Sequence, residues 1–126
     1  MLSRGLLSGS QPAAQGDLRA RLPRFTGPNR ERNQRVIEAL QRLAAEKGIA
    51  PAQLAIAWVL AKDEHIVPII GARTRKQLAE SLGALQVELS PADLARIEQC
   101  VPATAISGTR YDEHQMRMLD SERTGP

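Results

Sequence analysis

Three basic side chains, Arg73, Arg75 and Lys76, crowd the predicted start of a helix that follows a short apolar run and a glycine. Cations are unfavourable there, because the first turn of a helix presents free N–H groups and a partial positive charge. An apolar strand, a tight turn and a helix N-terminus also form a common phosphate-binding geometry. The pattern therefore predicts an anion site, while Thr74 and Gln77 leave open a simple capping box that needs no ligand.

The other residues with chemical potential give weaker signals. His65 comes just before the apolar run, where a solvated or capping role is favoured over catalysis. Cys100 ends a predicted helix and has no obvious histidine partner, so packing is favoured over a nucleophilic role. No spacing of His, Cys, Asp or Glu indicates a metal site. The residues by themselves predict a binding site and no catalytic group.

Hydrophobic spacing predicts the elements that would position this site. They are a loop over 1–28, helices over 29–47, 51–61, 74–85 and 90–100, a strand over 66–70, and an irregular tail over 101–126. Asn29 and Gly48 are the expected ends of the first helix. The second helix is apolar all round and should be buried on most sides. In the third, Leu78, Leu82 and Leu85 share one face.

The run Ile66–Ile70 is apolar on both alternating faces, which is typical of a strand covered on both sides in a parallel sheet. Pro68 weakens that interpretation, since proline removes a ladder donor. Such a strand needs neighbours at both backbone edges, and the sequence contains one clear strand. The predicted fold class is therefore α/β, mostly helical, as an incomplete part of a larger domain.

Composition narrows the classes of function. The 126 residues are 42% hydrophobic and carry a net charge of +3, which suits a small anionic ligand and is too weak to indicate nucleic acid. Only three residues are aromatic, which argues against a base-stacking platform. The single cysteine excludes an internal disulfide and fits a reducing compartment. With no signal peptide or membrane-spanning run in the sequence, the expected location is cytoplasmic, with no membrane partner.

The segment from Ile70 to Leu82 resembles the cofactor motif that closes the barrel of the aldo-keto reductases. The resemblance implies an NADPH/NADP site, in which the adenosine end is held by Gly71, Ala72, Arg73, Gln77, Glu80 and Ser81. Arg73 would meet the 2′-phosphate, which implies NADPH rather than NADH. Ser81 replaces the asparagine that is usual in the family, so a weaker adenine contact is expected there.

The start of the chain resembles the same family, in which a glycine-rich loop after the seventh strand wraps the cofactor pyrophosphate. The resemblance implies cofactor contacts from Leu2, Ser3, Arg4, Gly5 and Gly9, and a further one from Arg19. Glycines let a backbone approach phosphates closely. Taken alone, the glycine-rich start also fits a flexible terminus. The helix start at Pro51 and Trp58 match the family as well, so the resemblance covers nearly the whole chain.

The resemblance implies that residues 1–126 are the C-terminal portion of a TIM (β/α)8 barrel. The complete enzyme would reduce a small carbonyl substrate by hydride transfer from NADPH, or run the reverse oxidation. The catalytic Tyr, Lys, Asp and His of the family lie on earlier strands and have no counterpart here. No catalytic residue is therefore predicted, and the chain alone is expected to be inactive. Tyr111 lies in the tail, which closes over the substrate pocket in this family, and is expected to shape specificity.

Two alternatives stay open from the sequence. One is a non-catalytic nucleotide-binding subunit, or half of a split reductase that pairs with an upstream N-terminal half. The other is a small basic helical protein that binds nucleic acid through the arginine-rich first helix. The mild net charge and the absence of a recognisable helix-turn-helix pattern disfavour the second alternative.

Overall fold

The chain was analysed as a computed structural model, which describes residues 12, 16–102 and 104–119. The α-helices in these ranges are α1 (Gly27–Glu46), α2 (Pro51–Leu60), α3 (Arg75–Leu82), α4 (Pro91–Cys100) and α5 (Glu113–Met116). Short 3-10 turns lie at Leu18–Arg21, Pro23–Phe25 and Gly83–Gln86. The prediction of a mostly helical chain is confirmed for the described residues.

Helix α1 begins two residues earlier than the sequence predicts, at Gly27 rather than Asn29. Thr26 precedes it with extended backbone, and Pro28 lies in the first turn, where a missing N–H costs nothing. Asn29 is not the cap, because its side-chain Nδ2 donates to the carbonyl oxygen of Pro23 at 3.2 Å. The residue expected to start the helix therefore ties its first turn to the preceding loop.

The end of α1 is the one predicted. Gly48 has a φ of +67°, a left-handed conformation that glycine adopts without steric cost. The Gly48 N–H donates to the Ala45 carbonyl and the Ile49 N–H to the Ala44 carbonyl, each at 3.0 Å. These two bonds form a Schellman motif, and Ile49 then packs on the core beside Ala44.

The main core lies between α1, α2 and α4. Its buried members are Leu40, Leu43, Ala44, Leu54 and Ile97, with Ile49, Trp58, Leu89, Cys100 and Val101 packed around them. Helix α2 contributes Leu54 to this core. Four further residues of α2 are also buried, as expected for a helix that is apolar all round. Burying one such aliphatic side chain is worth about 1.5–3 kcal/mol.

Ion pairs join α4 to its neighbours on the surface. They link Lys47 to Asp93 (2.8 Å), Arg96 to Glu46 (2.7 Å) and Lys62 to Glu98. Exposed pairs of this kind contribute about 0–1 kcal/mol each. Apolar burial therefore dominates the attachment of α4, and the pairs mainly fix its orientation.

The helix predicted over 90–100 is present as α4, and Ser90 is the residue that caps its start. The Asp93 N–H donates to Ser90 Oγ at 3.2 Å, and the Ser90 N–H donates to Asp93 Oδ2 at 2.9 Å, which completes a capping box. Lys47 and then Ser90 hydrogen bond to the Asp93 carboxylate and lower its pKa to about 2. Ile97 points into the core, whereas Leu94 is half-buried.

A second, smaller core holds the C-terminal tail against the first half of the chain. Leu22, Phe25 and Ile37 are buried there, and Ile106 and Tyr111 pack against them. The tail was predicted as irregular and polar. It is irregular over most of its described length, but it is docked by these apolar contacts.

The prediction of a strand over 66–70 requires correction. This segment has neither helix nor strand, and no strand occurs anywhere in the described ranges. Val67 is 84% exposed and Ile69 is 92% exposed. The physical reason is that a strand exists only when another strand exchanges backbone hydrogen bonds with it, and no described segment supplies that partner.

The apolar face predicted for the third helix is also uncovered. Helix α3 ends at Leu82 and continues as a 3-10 turn rather than as α-helix. Leu78, Leu82 and Leu85 are all at least 49% exposed. In the turn that follows α3 it is Ala84, and not Leu85, that is buried.

No single helix in the described ranges is both long enough and apolar enough to cross a membrane. Helices α1 and α2 meet the criteria of length and composition only as a pair, and they bend by 88° at the break between them.

Candidate cofactor site

The N-terminus of α3 carries the capping box that the sequence predicts. The Gln77 N–H donates to Thr74 Oγ1 at 3.2 Å. In return, Gln77 Oε1 accepts the N–H groups of Thr74 at 3.2 Å and of Arg73 at 2.8 Å. A single carboxamide oxygen thus binds the backbone of the two residues before the helix, so their conformation is fixed without a ligand.

Two backbone donors at this terminus stay available. The N–H groups of Arg75 and Lys76 lie in the first helical turn and have no hydrogen-bond acceptor in the described part of the chain. Such N–H groups carry the partial positive charge of the helix N-terminus. Both N–H groups point out of the start of the helix, next to Arg73 and Thr74, the two residues that Gln77 holds. This arrangement favours the binding of an oxyanion.

The basic side chains at the same place are uncompensated. Arg73, Arg75 and Lys76 are exposed, and none forms an ion pair with a described residue. Each cation at a helix N-terminus costs roughly 0.3–1 kcal/mol through the helix dipole. A phosphate would reverse the sign of that interaction, so the donor set has the chemistry of an anion site.

Of the remaining predicted residues of this segment, Gly71 and Ala72 precede the N-terminus of α3, whereas Glu80 and Ser81 lie in its last turn. Gly71, Ala72 and Glu80 are exposed, and Ser81 is half-buried. A Cβ placed on Gly71 would meet no described atom within 4 Å, so the space beside its backbone is open. The segment therefore offers an accessible backbone, two free N–H groups and three cations, and these fit a phosphorylated nucleotide.

Gln77 and Glu80 have structural contacts besides any contact with a ligand. The Oε1 atom of Gln77 is used in capping, which leaves its Nε2 as the free donor. The backbone carbonyl of Glu80 accepts Gln53 Nε2 at 2.9 Å, and its carboxylate is exposed. Both side chains still have one polar group directed to solvent.

Gln53 is a positioning residue that the sequence analysis missed. Its Oε1 accepts the Ala50 N–H at 3.0 Å while its Nε2 reaches Glu80, so one side chain joins the start of α2 to α3. A side chain on Gly83 would collide with Gln53. The readable signal was glutamine at the third position of a helix that begins with Pro51, since a side chain there can reach back to the N–H of the residue before the helix.

Arg19 is placed apart from α3 and is already engaged. Its guanidinium pairs with Asp17 at 2.6 Å and lies 5.9 Å from the ring centroid of Phe25. The hydrogen bond with Asp17 raises the pKa of Arg19. The guanidinium is thus held in one orientation with part of its charge neutralised. The residues predicted at the start of the chain, Leu2, Ser3, Arg4, Gly5 and Gly9, lie outside the described residues.

The residues judged less informative have ordinary structural surroundings. The backbone N–H of His65 donates to Asp63 Oδ1 at 2.8 Å, and the imidazole is exposed. Cys100 packs at the edge of the main core. Tyr111 packs on the second core. Among the described residues, no three His, Cys, Asp or Glu side chains are grouped closely enough to hold a metal ion.

Comparison with known proteins defines the class. The sequence model of the Aldo/keto reductase family matches residues 1–102 of the 126. The chain therefore belongs to the aldo/keto reductase family, and the resemblance identified from the sequence is confirmed. The fold of that family is a TIM barrel, in which ligands are bound at the C-terminal ends of the strands.

Two relatives illustrate the match. A protein described as probable aldo-keto reductase 1 of Glycine max is 43% identical over 89 residues, which are 71% of this chain and 26% of that protein. The aldo-keto reductase yakc [NADP(+)] of Schizosaccharomyces pombe is 34% identical over 114 residues, or 87% of this chain and 34% of that protein. The chain thus spans between a quarter and about a third of the length of these curated relatives.

Proposed function

We propose that this chain is the C-terminal, cofactor-binding portion of an NADPH-dependent aldo-keto reductase barrel. The observation that carries the proposal is the N-terminus of α3 in a member of this family, where three exposed cations, Arg73, Arg75 and Lys76, adjoin two free backbone N–H groups. When bound, NADPH would supply the hydride. The residues of this chain would bind and orient the nucleotide end.

Each residue at α3 has a distinct role in the proposal. The Arg73 guanidinium, with its planar set of donors, binds the 2′-phosphate and distinguishes NADPH from NADH. The backbone at Gly71 and Ala72 leaves room for the nucleotide. Gln77 Nε2 and the Glu80 carboxylate offer one donor and one acceptor to the adenosine, and Ser81 makes a weaker adenine contact.

We assign Arg19, and with it Leu2, Ser3, Arg4, Gly5 and Gly9, to the pyrophosphate side of the same cofactor. Arg19 is ordered by Asp17 before any ligand arrives, which lowers the entropy that an arginine loses when it grips a phosphate.

The complete enzyme would act on a small carbonyl substrate in the cytoplasm, without nucleic acid or membrane as partner. It would reduce the carbonyl with NADPH or run the reverse oxidation. The catalytic groups of the family have no counterpart in this chain, so the purified chain is expected to show no NADPH-dependent turnover. Turnover above the buffer background, in a preparation free of other reductases, would contradict the assignment.

A second candidate is a non-catalytic nucleotide-binding subunit, or one half of a split reductase that pairs with an upstream N-terminal half. The exposed apolar side chains of the segment 66–70 are the observation behind this alternative, since Val67 is 84% and Ile69 92% exposed and either could contact a separate partner chain. Exposed apolar surface of this kind is usually an interface. Restoration of turnover by adding the first seven barrel strands as a separate polypeptide would support the split form.

The test of the first proposal is a comparison of NADPH and NADH binding by titration calorimetry on the full chain. Loss of a charge-assisted hydrogen bond costs about 1.5–3 kcal/mol, so Arg73→Gln should weaken NADPH binding at least tenfold and leave NADH binding unchanged. Arg42→Gln, an exposed arginine on α1, is the matched control. Equal affinity of the wild-type chain for the two cofactors would refute the role of Arg73.

A further inference from the structure

Asn33 is a fully buried polar side chain far from α3. It is 0% exposed, and its Nδ2 donates to the carbonyl oxygens of Arg24 and Ser107, each at 2.9 Å. Its Oδ1 accepts the Ser107 N–H at 2.7 Å. One carboxamide on α1 therefore holds the loop before α1 and the C-terminal tail at the same time, 74 residues away along the chain.

The two segments that Asn33 holds also contact each other. Arg24 Nε donates to the Gly108 carbonyl at 3.1 Å. Gly108 has a φ of +87°, and a Cβ there would lie 3.0 Å from the carbonyl carbon and oxygen of Pro23. Only glycine lets the tail come this close in this conformation. The contact between the loop and the tail therefore depends on two residues: Asn33 on α1, which binds both segments, and Gly108 in the tail, which allows their close approach.

An apolar layer connects this junction to Arg19. Phe25 packs with Leu22 and Ile37, and the tail residues Ile106 and Tyr111 cover them. The Arg19 guanidinium lies above the same Phe25 ring. A shift of the tail would therefore move the support on which Arg19 rests.

We infer that Asn33 is a positioning residue for the cofactor contact made by Arg19. It holds residues 17–25 and 105–111 on α1 as one unit and thereby fixes the Arg19 guanidinium. The inference rests on the proposed function only for the statement that Arg19 contacts NADPH. The carboxamide is needed as such: a carboxylate would lose both donors, and leucine would remove all three hydrogen bonds to the backbone of Arg24 and Ser107.

Hydrogen–deuterium exchange of the full chain tests the unit itself. Asn33→Leu should speed exchange at least tenfold in both 17–25 and 105–111, while α2 and α4 keep their protection. Gly108→Ala disturbs the same contact from the tail and should also speed exchange in both segments. This second variant keeps the test decisive if Asn33→Leu does not fold. Arg35→Gln, exposed on the same helix, is the matched control. Unchanged exchange, or faster exchange in the tail only, would overturn the inference.

Ligand binding then separates positioning from general stability. Asn33→Leu should weaken NADPH binding at least fivefold and leave binding of adenosine 2′-monophosphate, which lacks the pyrophosphate, unchanged. Equal losses for both ligands would show a general effect and overturn the positioning role. If the wild-type chain binds neither ligand, the proposed function fails, and the exchange pattern alone decides whether Asn33 locks the unit.

Discussion

Gln53 gives the sharpest prediction about how the cofactor segment is held. Both ends of its carboxamide are used, one on the Ala50 N–H and one on the Glu80 carbonyl. A capping bond contributes about 0.5–2 kcal/mol and a neutral hydrogen bond about 0.5–1.5 kcal/mol. Since Glu80 is exposed, the lower halves of these ranges apply, and Gln53→Ala should lower the free energy of unfolding by about 1–2 kcal/mol.

A second variant divides that loss between the two bonds. Gln53→Glu keeps an acceptor for the Ala50 N–H, where a carboxylate also suits the helix dipole, but it has no donor for the Glu80 carbonyl. Its free energy of unfolding should fall by roughly half as much as that of Gln53→Ala. Both variants lose the hydrogen bond to the Glu80 carbonyl, which holds α3, so both should weaken NADPH binding. Only Gln53→Ala also loses the bond to the Ala50 N–H, so only this variant should fray the start of α2.

The assay is urea unfolding followed by the fluorescence of Trp58, the single tryptophan, which lies on α2 itself. The slope of the free energy against urea should be the same for all variants, so that midpoints compare stabilities. Gln99→Ala on α4, an exposed side chain with no hydrogen bond to a described residue, controls for helix propensity and should stay within about 0.5 kcal/mol. Equal losses for Gln53→Ala and Gln53→Glu would refute the two-bond account.

Two further predictions concern pH and association. The pKa of Asp93 falls from an ordinary 3.8 to about 2 through Lys47 and Ser90, so its contribution to stability is complete above pH 3.8 and disappears as the pH falls through about 2. In that window the melting temperature of Asp93→Asn should change less with pH than that of the wild-type chain. The same slope in both proteins would exclude a contribution from Asp93. The exposed Val67 and Ile69 should make the chain self-associate, and replacing both by lysine should shift sedimentation toward monomer. A monomeric wild-type chain would contradict this.

Local chemistry explains which parts of the fold were predictable. The caps formed by Ser90 with Asp93 and by Thr74 with Gln77 involve residues three apart, and the left-handed end of α1 needs only Gly48. These features depend on a few neighbouring residues, so the sequence displays them directly. The basic residues and free N–H groups at the start of α3 also adjoin along the chain, and the anion site inferred from them stays a prediction.

Features that depend on distant partners were predicted poorly. The apolar segment 66–70 has the composition of a strand, but pairing is a property of two segments and not of one. Leu78, Leu82 and Leu85 form an apolar stripe in the sequence, yet apolarity cannot tell which surface covers it. Asn33 looks like an ordinary polar residue in an arginine-rich helix, because its partner at Ser107 is 74 residues away.

The separation between Asn33 and Ser107 has a consequence for the newly made chain. At ribosomal speeds of about 5–20 residues per second, roughly 4–15 s pass between the synthesis of the carboxamide and that of its last partner, 74 residues later. During that interval the Asn33 carboxamide can meet Arg24, which is made earlier, but not Ser107. Two of its three backbone hydrogen bonds therefore wait for the tail, so the carboxamide is fully paired only after Ser107 has been made.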